Sequence, residues 1–190
     1  LLLVEPRRVA ARLAATFMAS QLNEQIGETV GYRMRGDSNV GPNTRLEVVT
    51  QGVLTRILQD DPLLEGVAGI IFDEFHERSI EADLGLALAL DVQESIRDDL
   101  RLMVMSATLD VAALKGVLGS DTPVIESSGR EFSVETRYCP VEAHESLDRA
   151  ALRVTKEALK REGSRDVLVI LPGIAEISQL VQALESSSMD

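Results

Sequence analysis

Short apolar runs alternate with amphipathic stretches along this chain of 190 residues. Residues 1–4, Leu-Leu-Leu-Val, have no polar interruption, as a strand covered on both faces requires. Pro6 follows, where a helix's first turn tolerates it. Val9, Ala10, Leu13, Ala14, Phe17 and Met18 then recur at helical spacing and predict a helix to about residue 22, with those side chains inward. Residues 27–43 are glycine-rich around Tyr32 and Met34 and read as a loop holding at most a short strand. Residues 46–49 predict a strand and 51–58 a short helix, ended by Asp60-Asp61-Pro62. Residues 67–72 are the clearest strand. Residues 79–96 predict a long helix with Leu84, Leu88 and Val92 on its apolar side. A buried strand at 100–105 and a short helix to 118, capped by Asp110, come next. Strands are expected at 124–125 and 167–171, an extended crossing segment at 132–138, and helices at 147–159 and 174–184. The polar tail reads as frayed.

Such alternation implies an α/β fold, a mostly parallel sheet with helices on both faces. One domain is expected at 1–125, a connector at 126–146, and the opening βα unit of a second domain at 147–190. The apolar runs fall far short of the roughly 20 residues of a membrane helix. The opening Leu-Leu-Leu-Val-Glu has no methionine and no basic stretch, so it is not a signal peptide. It reads as the end of a buried strand, and the chain is expected to be a fragment cut inside a domain.

Composition narrows the function classes. One cysteine, Cys139, excludes an internal disulfide framework and a multi-cysteine zinc cage, and fits a reducing, cytoplasmic setting. Aromatics make up 3% and tryptophan is absent, which argues against a base-stacking platform. The net charge of −12 argues against a broad basic face for nucleic acid. Its distribution qualifies this. Residues 1–60 carry seven arginines and six acids, net +1, whereas 61–125 carry net −9 and 126–190 net −4. A local arginine face on an acidic body remains open beside ordinary solvated surface.

Three groups of residues could carry chemistry. Asp73-Glu74-Phe75-His76 directly follows the most apolar strand, and ligands collect at the carboxyl ends of parallel strands. One carboxylate could hold Mg²⁺ on a phosphate, and the other could orient or deprotonate a water. An acidic strand end that only caps the next helix is the competing reading. His76-Glu77 also opens like a zinc-protease helix, but the second histidine should stand at residue 80, which is isoleucine, so zinc is disfavoured. Ser106-Ala107-Thr108 ends another strand, where its hydroxyls could sense neighbouring groups or merely cap a helix. Arg7-Arg8, and Thr50-Gln51-Gly52 with Arg56, stand at helix starts suited to a phosphate backbone, or are plain helix-surface charge.

Together these residues resemble the DEAH/RHA family of superfamily 2 helicases. Glu5-Pro6-Arg7-Arg8-Val9-Ala10-Ala11 is similar to motif Ia, and Thr50-Gln51-Gly52-Val53-Leu54-Thr55-Arg56 to motif Ib. Asp73-Glu74-Phe75-His76-Glu77-Arg78 matches motif II, and Ser106-Ala107-Thr108-Leu109-Asp110 motif III. Residues 129–134 resemble the crossover between two RecA-like domains, and 169–177 resemble motif IV. Phe75 replaces the alanine usual in motif II, and with residues 44–56 this points to the bacterial HrpB type. The resemblance implies a RecA-like domain followed by the start of a second. It implies ATP and Mg²⁺ as cofactors, with Asp73 on the metal and Glu74 on the hydrolytic water. His76, Ser106 and Thr108 would couple nucleotide state to domain closure. Arg7, Arg8, Thr50, Gly52, Pro172 and Gly173 would track the backbone of a single strand, expected to be RNA.

The departures are as definite. The family carries a phosphate loop before its first strand here and arginine-bearing motifs V and VI later. The three lysines, Lys115, Lys156 and Lys160, lie in no such loop. The 190 residues alone are therefore expected not to hydrolyse ATP. A truncated or degenerate module that binds nucleic acid or a partner is the alternative, and an NTPase that translocates without unwinding is a third reading.

Overall fold

The computed structural model describes residues 1–190 apart from 109, 128, 130, 131, 163–165 and 188–190. Leu109 of the motif III stretch, Arg130 and Glu131 of the crossover stretch, and the last three tail residues thus lie outside the described residues. The chain divides into two units, Leu1–Glu126 and Ser127–Asp190.

The first unit is built on a six-stranded sheet: β1 (Leu2–Glu5), β2 (Val30–Met34), β3 (Asp37–Asn39), β4 (Leu46–Thr50), β5 (Gly69–Phe72) and β6 (Arg101–Val104). Their spatial order is β3-β2-β4-β1-β5-β6. All neighbours are parallel except β3, which returns antiparallel along β2. Side chains alternate between the two faces, as the period of a strand demands. Leu2, Val4, Val49, Ile70 and Phe72 face one core with α2 (Gln51–Asp60) and α3 (Ile80–Ser95). Leu3, Val48, Val30, Tyr32 and Met34 face the other, beneath α1 (Arg8–Gln21). A further helix, α4 (Val111–Leu118), starts at Asp110, whose carboxylate accepts the Ala113 N–H at 3.0 Å.

Helix α1 buries a different face from the one its larger apolar residues predict, and α3 departs from its expected face at one position. Helix α1 turns Ala11, Ala15 and Ala19 to the sheet and leaves Val9, Leu13 and Phe17 largely exposed. An alanine seam lets the helix axis approach the strands, and the fourfold spacing serves either stripe equally well. Helix α3 buries Ala82, Gly85, Leu86, Ala89 and Val92, with Leu88 packed against the same core, while Leu84 is exposed. A Cβ at Gly85 would stand 3.1 Å from Leu54 and 3.6 Å from Phe72, so glycine sets how closely α3 lies on its neighbours.

The glycine-rich stretch forms a hairpin, β2–β3, rather than a loop with one short strand. Gly36 adopts φ +76° in its turn, a conformation that glycine enters freely. Strand β6 is the sheet edge, with Arg101 and Met103 exposed, not a strand buried on both faces. No strand forms among the described residues of 124–125 or 167–171, and 132–138 carries no regular secondary structure. Ile125, Phe132, Val134, Tyr138, Leu168 and Ile170 are all at least 85% exposed. Apolar composition alone does not make a strand, because its N–H and C=O groups need a neighbouring ladder.

The second unit contains α5 (Leu147–Glu162) and α6 (Ile174–Ser186), with Ala150, Thr155 and Leu180 buried. Arg153 grips Glu145 through two hydrogen bonds, 2.9 and 2.8 Å, and donates to the Pro140 carbonyl. That grip, aided by the Glu142 N–H, holds the Glu145 carboxyl down at about 2.

Phe72 carries the structural link to the site. It is 1% exposed and meets Phe75 edge-on, with ring centroids 6.3 Å apart. Phe72→Ala is expected to cost about 3–5 kcal/mol in denaturant unfolding through cavity and transfer terms. A loss under about 1 kcal/mol would show that this core does not depend on the ring.

Candidate active site and nucleic-acid groove

All chemistry-bearing segments of the first unit leave the same edge of the sheet. The register pairs Glu5 with Thr50, Val4 with Phe72 and Phe72 with Val104. The ends of β1, β4, β5 and β6 therefore stand side by side at their carboxyl ends, where parallel sheets assemble sites. The ladder runs one step further: the Asp73 N–H reaches the Val4 carbonyl at 3.0 Å, and the Met105 N–H reaches the Phe72 carbonyl at 2.7 Å.

Asp73, half-buried, accepts the Glu74 N–H at 2.8 Å. Glu74 takes a left-handed backbone, φ 51°, and begins a three-residue 3-10 turn, Phe75–Glu77, that Arg78 closes at φ 48°. Non-glycine residues in this region are held there by their surroundings. The holding contacts are visible. Buried Phe75 sits in the core and its N–H donates to the Met105 carbonyl at 3.1 Å. The Arg78 guanidinium lies 5.7 Å over the Phe75 ring and pairs with Asp83 at 3.1 Å.

His76 links two segments. Its Nε2 is 3.3 Å from the Glu74 carboxylate, and its Nδ1 is 3.2 Å from the Ser106 hydroxyl. Ser106 in turn donates to the Thr108 carbonyl at 2.9 Å. The structure thus brings Glu74, His76, Ser106 and Thr108 into one chain. Thr108 enters through its backbone, while its side chain borders a cavity of about 470 Å³ with Phe75, His76, Asp110 and Leu114.

A second, shallower groove of about 430 Å³ lies beside this chain, lined by Pro6, Arg8, Thr50, Gln51, Gly52, Glu77 and Ser79 among others. Arg7 stands at its margin and donates to Glu77 at 2.7 Å. Ser79, the N-cap of α3, donates to the Gln51 amide oxygen at 2.7 Å. Pro172 and Gly173 lie in the second unit, Gly173 as the N-cap of α6.

Sequence reasoning passed over Glu5, Glu77, Ser79 and Gln51 as individual contacts. Glu5 had a signal: like Asp73 it ends an apolar run. It is 5% exposed, and burial, then Asp73, then Glu74 and Glu77 push its carboxyl up to about 7. A raised carboxyl keeps its proton in the folded state after the unfolded chain has released it near 4.5. Stability due to this group therefore falls as pH rises from about 4.5 to about 7. Glu5→Gln should remove that slope and stabilise the metal-free chain at pH 8 by no more than about 3 kcal/mol, with little change at pH 4. Urea unfolding at both pH values checks this; equal shifts at the two would contradict it.

The donor set also limits what metal fits. No group of three or more His, Cys, Asp or Glu side chains among the described residues could cage a metal. Mg²⁺ suits such a site, because it is usually held by one or two carboxylates together with water and substrate phosphates. Asp73 is placed to be that carboxylate.

This geometry, a parallel sheet with paired acids at one strand end and a hydroxyl-bearing loop at the next, is that of a RecA-like α/β fold. No family model matches the chain. It is 55% identical over 186 residues to the ATP-dependent RNA helicase HrpB of Escherichia coli, covering 98% of this chain and 23% of that protein. It is 35% identical over 181 residues to the probable ATP-dependent RNA helicase DHR2 of Saccharomyces cerevisiae, covering 95% of this chain and 24% of that one. A crystal structure of the Escherichia coli DEAH/RHA helicase HrpB superposes with a TM-score of 0.89 at 55% identity, over 97% of this chain and 23% of that one. Over nearly its whole length the chain is thus similar to one segment of DEAH/RHA helicases, at 55% identity to HrpB. It spans about a quarter of the length of these relatives.

Proposed function

We propose that this chain is the central part of an ATP-dependent RNA helicase, in which Mg-ATP hydrolysis drives movement along RNA or its unwinding. The observation that carries this reading is the adjacency at one sheet edge of two sites: the Asp73–Glu74 acids and the groove lined by Arg8, Thr50 and Gly52, with Arg7 reaching it through Glu77. The names of the relatives supply the reaction, since those proteins are ATP-dependent RNA helicases. On this reading residues 1–125 form the first RecA-like domain, 126–146 the connector and 147–190 the start of the second.

Asp73 would hold the magnesium, its carboxylate oriented by the Glu74 N–H. When bound, that ion neutralises charge on the nucleotide phosphates. Glu74 orients the attacking water and takes its proton, which asks of it only a carboxylate within reach. His76 fixes Glu74 from one side and reads Ser106 from the other, so a shift of the Ser106–Thr108 loop reaches the acid. Arg7, Arg8, and the Thr50 and Gly52 region contact phosphates of single-stranded RNA, and Pro172 and Gly173, considered by themselves, are a further backbone contact carried by the second unit. Phosphate contacts position a strand without reading its bases, which agrees with so few aromatics. The exposed single cysteine, Cys139, accords with a cytoplasmic setting.

The test is strand displacement by the whole protein on an RNA duplex with a single-stranded overhang. ATP-dependent release of the strand is the expected result, and release that is the same without ATP would overturn the reading. The isolated 190 residues, with no lysine-bearing phosphate loop, should show no RNA-dependent ATP turnover. Measurable turnover would show that the phosphates are neutralised in some other way.

A further inference from the structure

Arg7 stands between the groove-lining Pro6 and Arg8, and its guanidinium is spent on Glu77, a lining side chain of the acidic turn. It donates to Glu77 at 2.7 Å, with the two side chains 73% and 32% exposed. A pair this exposed is weak and exchangeable. A phosphate offers the same guanidinium a charge-assisted and bidentate alternative. Glu77 sits at the far end of the turn that Glu74 opens, and its N–H donates to the Glu74 carbonyl at 3.0 Å. Left-handed residues bracket that turn at Glu74 and Arg78. Immediately beyond it, the Ser79 hydroxyl donates to the Gln51 amide oxygen at 2.7 Å, which ties the start of α3 to α2.

We propose that Arg7 and Glu77 form a relay: RNA phosphate takes Arg7 from Glu77, and the release of Glu77 resets the turn that carries Glu74 and His76. RNA occupancy thereby reaches the hydrolytic acid within one three-residue turn. Glu77 is a positioning residue here, acting through Glu74. The relay rests on the helicase reading above and assigns to it the contact by which RNA stimulates turnover.

The experiment uses the whole protein and a single-stranded RNA oligonucleotide, measuring RNA affinity without nucleotide and ATP turnover with and without saturating RNA. Glu77→Gln removes the competitor for Arg7, so RNA should bind up to about fivefold tighter. At the same time the RNA stimulation of turnover should fall towards one. In an Arg7→Ala background, Glu77→Gln should no longer tighten RNA binding, the non-additivity expected of a contacting pair. Arg7→Ala alone should lose stimulation even at saturating RNA, which separates a lost signal from lost binding. A merely structural Glu77 predicts the opposite sign, weaker RNA binding on deforming the turn. Weaker binding, or stimulation retained in Glu77→Gln, overturns the relay and leaves the helicase reading standing. An unaltered protein whose turnover ignores RNA overturns both.

Discussion

Glu74→Gln in the whole protein is expected to abolish ATP turnover while leaving ATP binding nearly intact. The amide keeps the shape of the side chain and can still meet His76, whose Nε2 lies 3.3 Å from the Glu74 carboxylate. It cannot accept a proton from water. Loss of a general base typically costs about 10²–10⁴-fold in rate. Nucleotide affinity should change little, since Asp73 and the phosphate contacts remain. The left-handed backbone at residue 74 is also preserved, because glutamine tolerates it no worse than glutamate. Single-turnover kinetics with a separate binding titration distinguish the two quantities. Turnover within a few-fold of the unaltered protein would remove Glu74 from the hydrolytic role. Loss of binding in parallel with turnover would show that the substitution disturbs the site as a whole.

Replacing both Arg7 and Arg8 by alanine should weaken RNA binding about 100-fold, taking the lower figure of about 1.5 kcal/mol for each charge-assisted contact. The loss should be similar for every RNA sequence, because phosphate contacts carry no base information. The slope of log affinity against log salt should flatten by about 0.7 for each contact removed. The two arginines should not contribute equally. Arg7 is already engaged with Glu77, whereas Arg8 lines the groove and forms no ion pair among the described residues. Arg8→Ala should therefore cost more than Arg7→Ala. An unchanged salt slope in the double variant would take both residues off the backbone path.

The strands that carry the site were legible because parallel strands must be covered on both faces. Residues 1–4 and 67–72 announce themselves as apolar runs without alternation, and 46–49 does so less cleanly because Glu47 interrupts it. Asp73 is the first polar group past the 67–72 run, and Ser106 the first past the strand expected at 100–105. Helix faces were not legible in the same way. In α1 two stripes share one period, and the bulkier stripe of Val9, Leu13 and Phe17 faces outward while alanines pack on the sheet. The spacing cannot show that close approach is worth more than side-chain volume there. The run at 167–171 has a strand's composition and no ladder, because pairing belongs to neighbours and not to the segment. The contacts Arg7–Glu77 and Ser79–Gln51 join residues 70 and 28 positions apart, and only the assembled sheet edge brings them together.

The central claim is that an RNA groove and an ATP-hydrolysing acid pair share one sheet edge and work as one device. The most direct measurement is steady-state ATP hydrolysis by the whole protein across a titration of single-stranded RNA. The account predicts turnover that rises with RNA and saturates. Turnover that is indifferent to RNA at every concentration would contradict it.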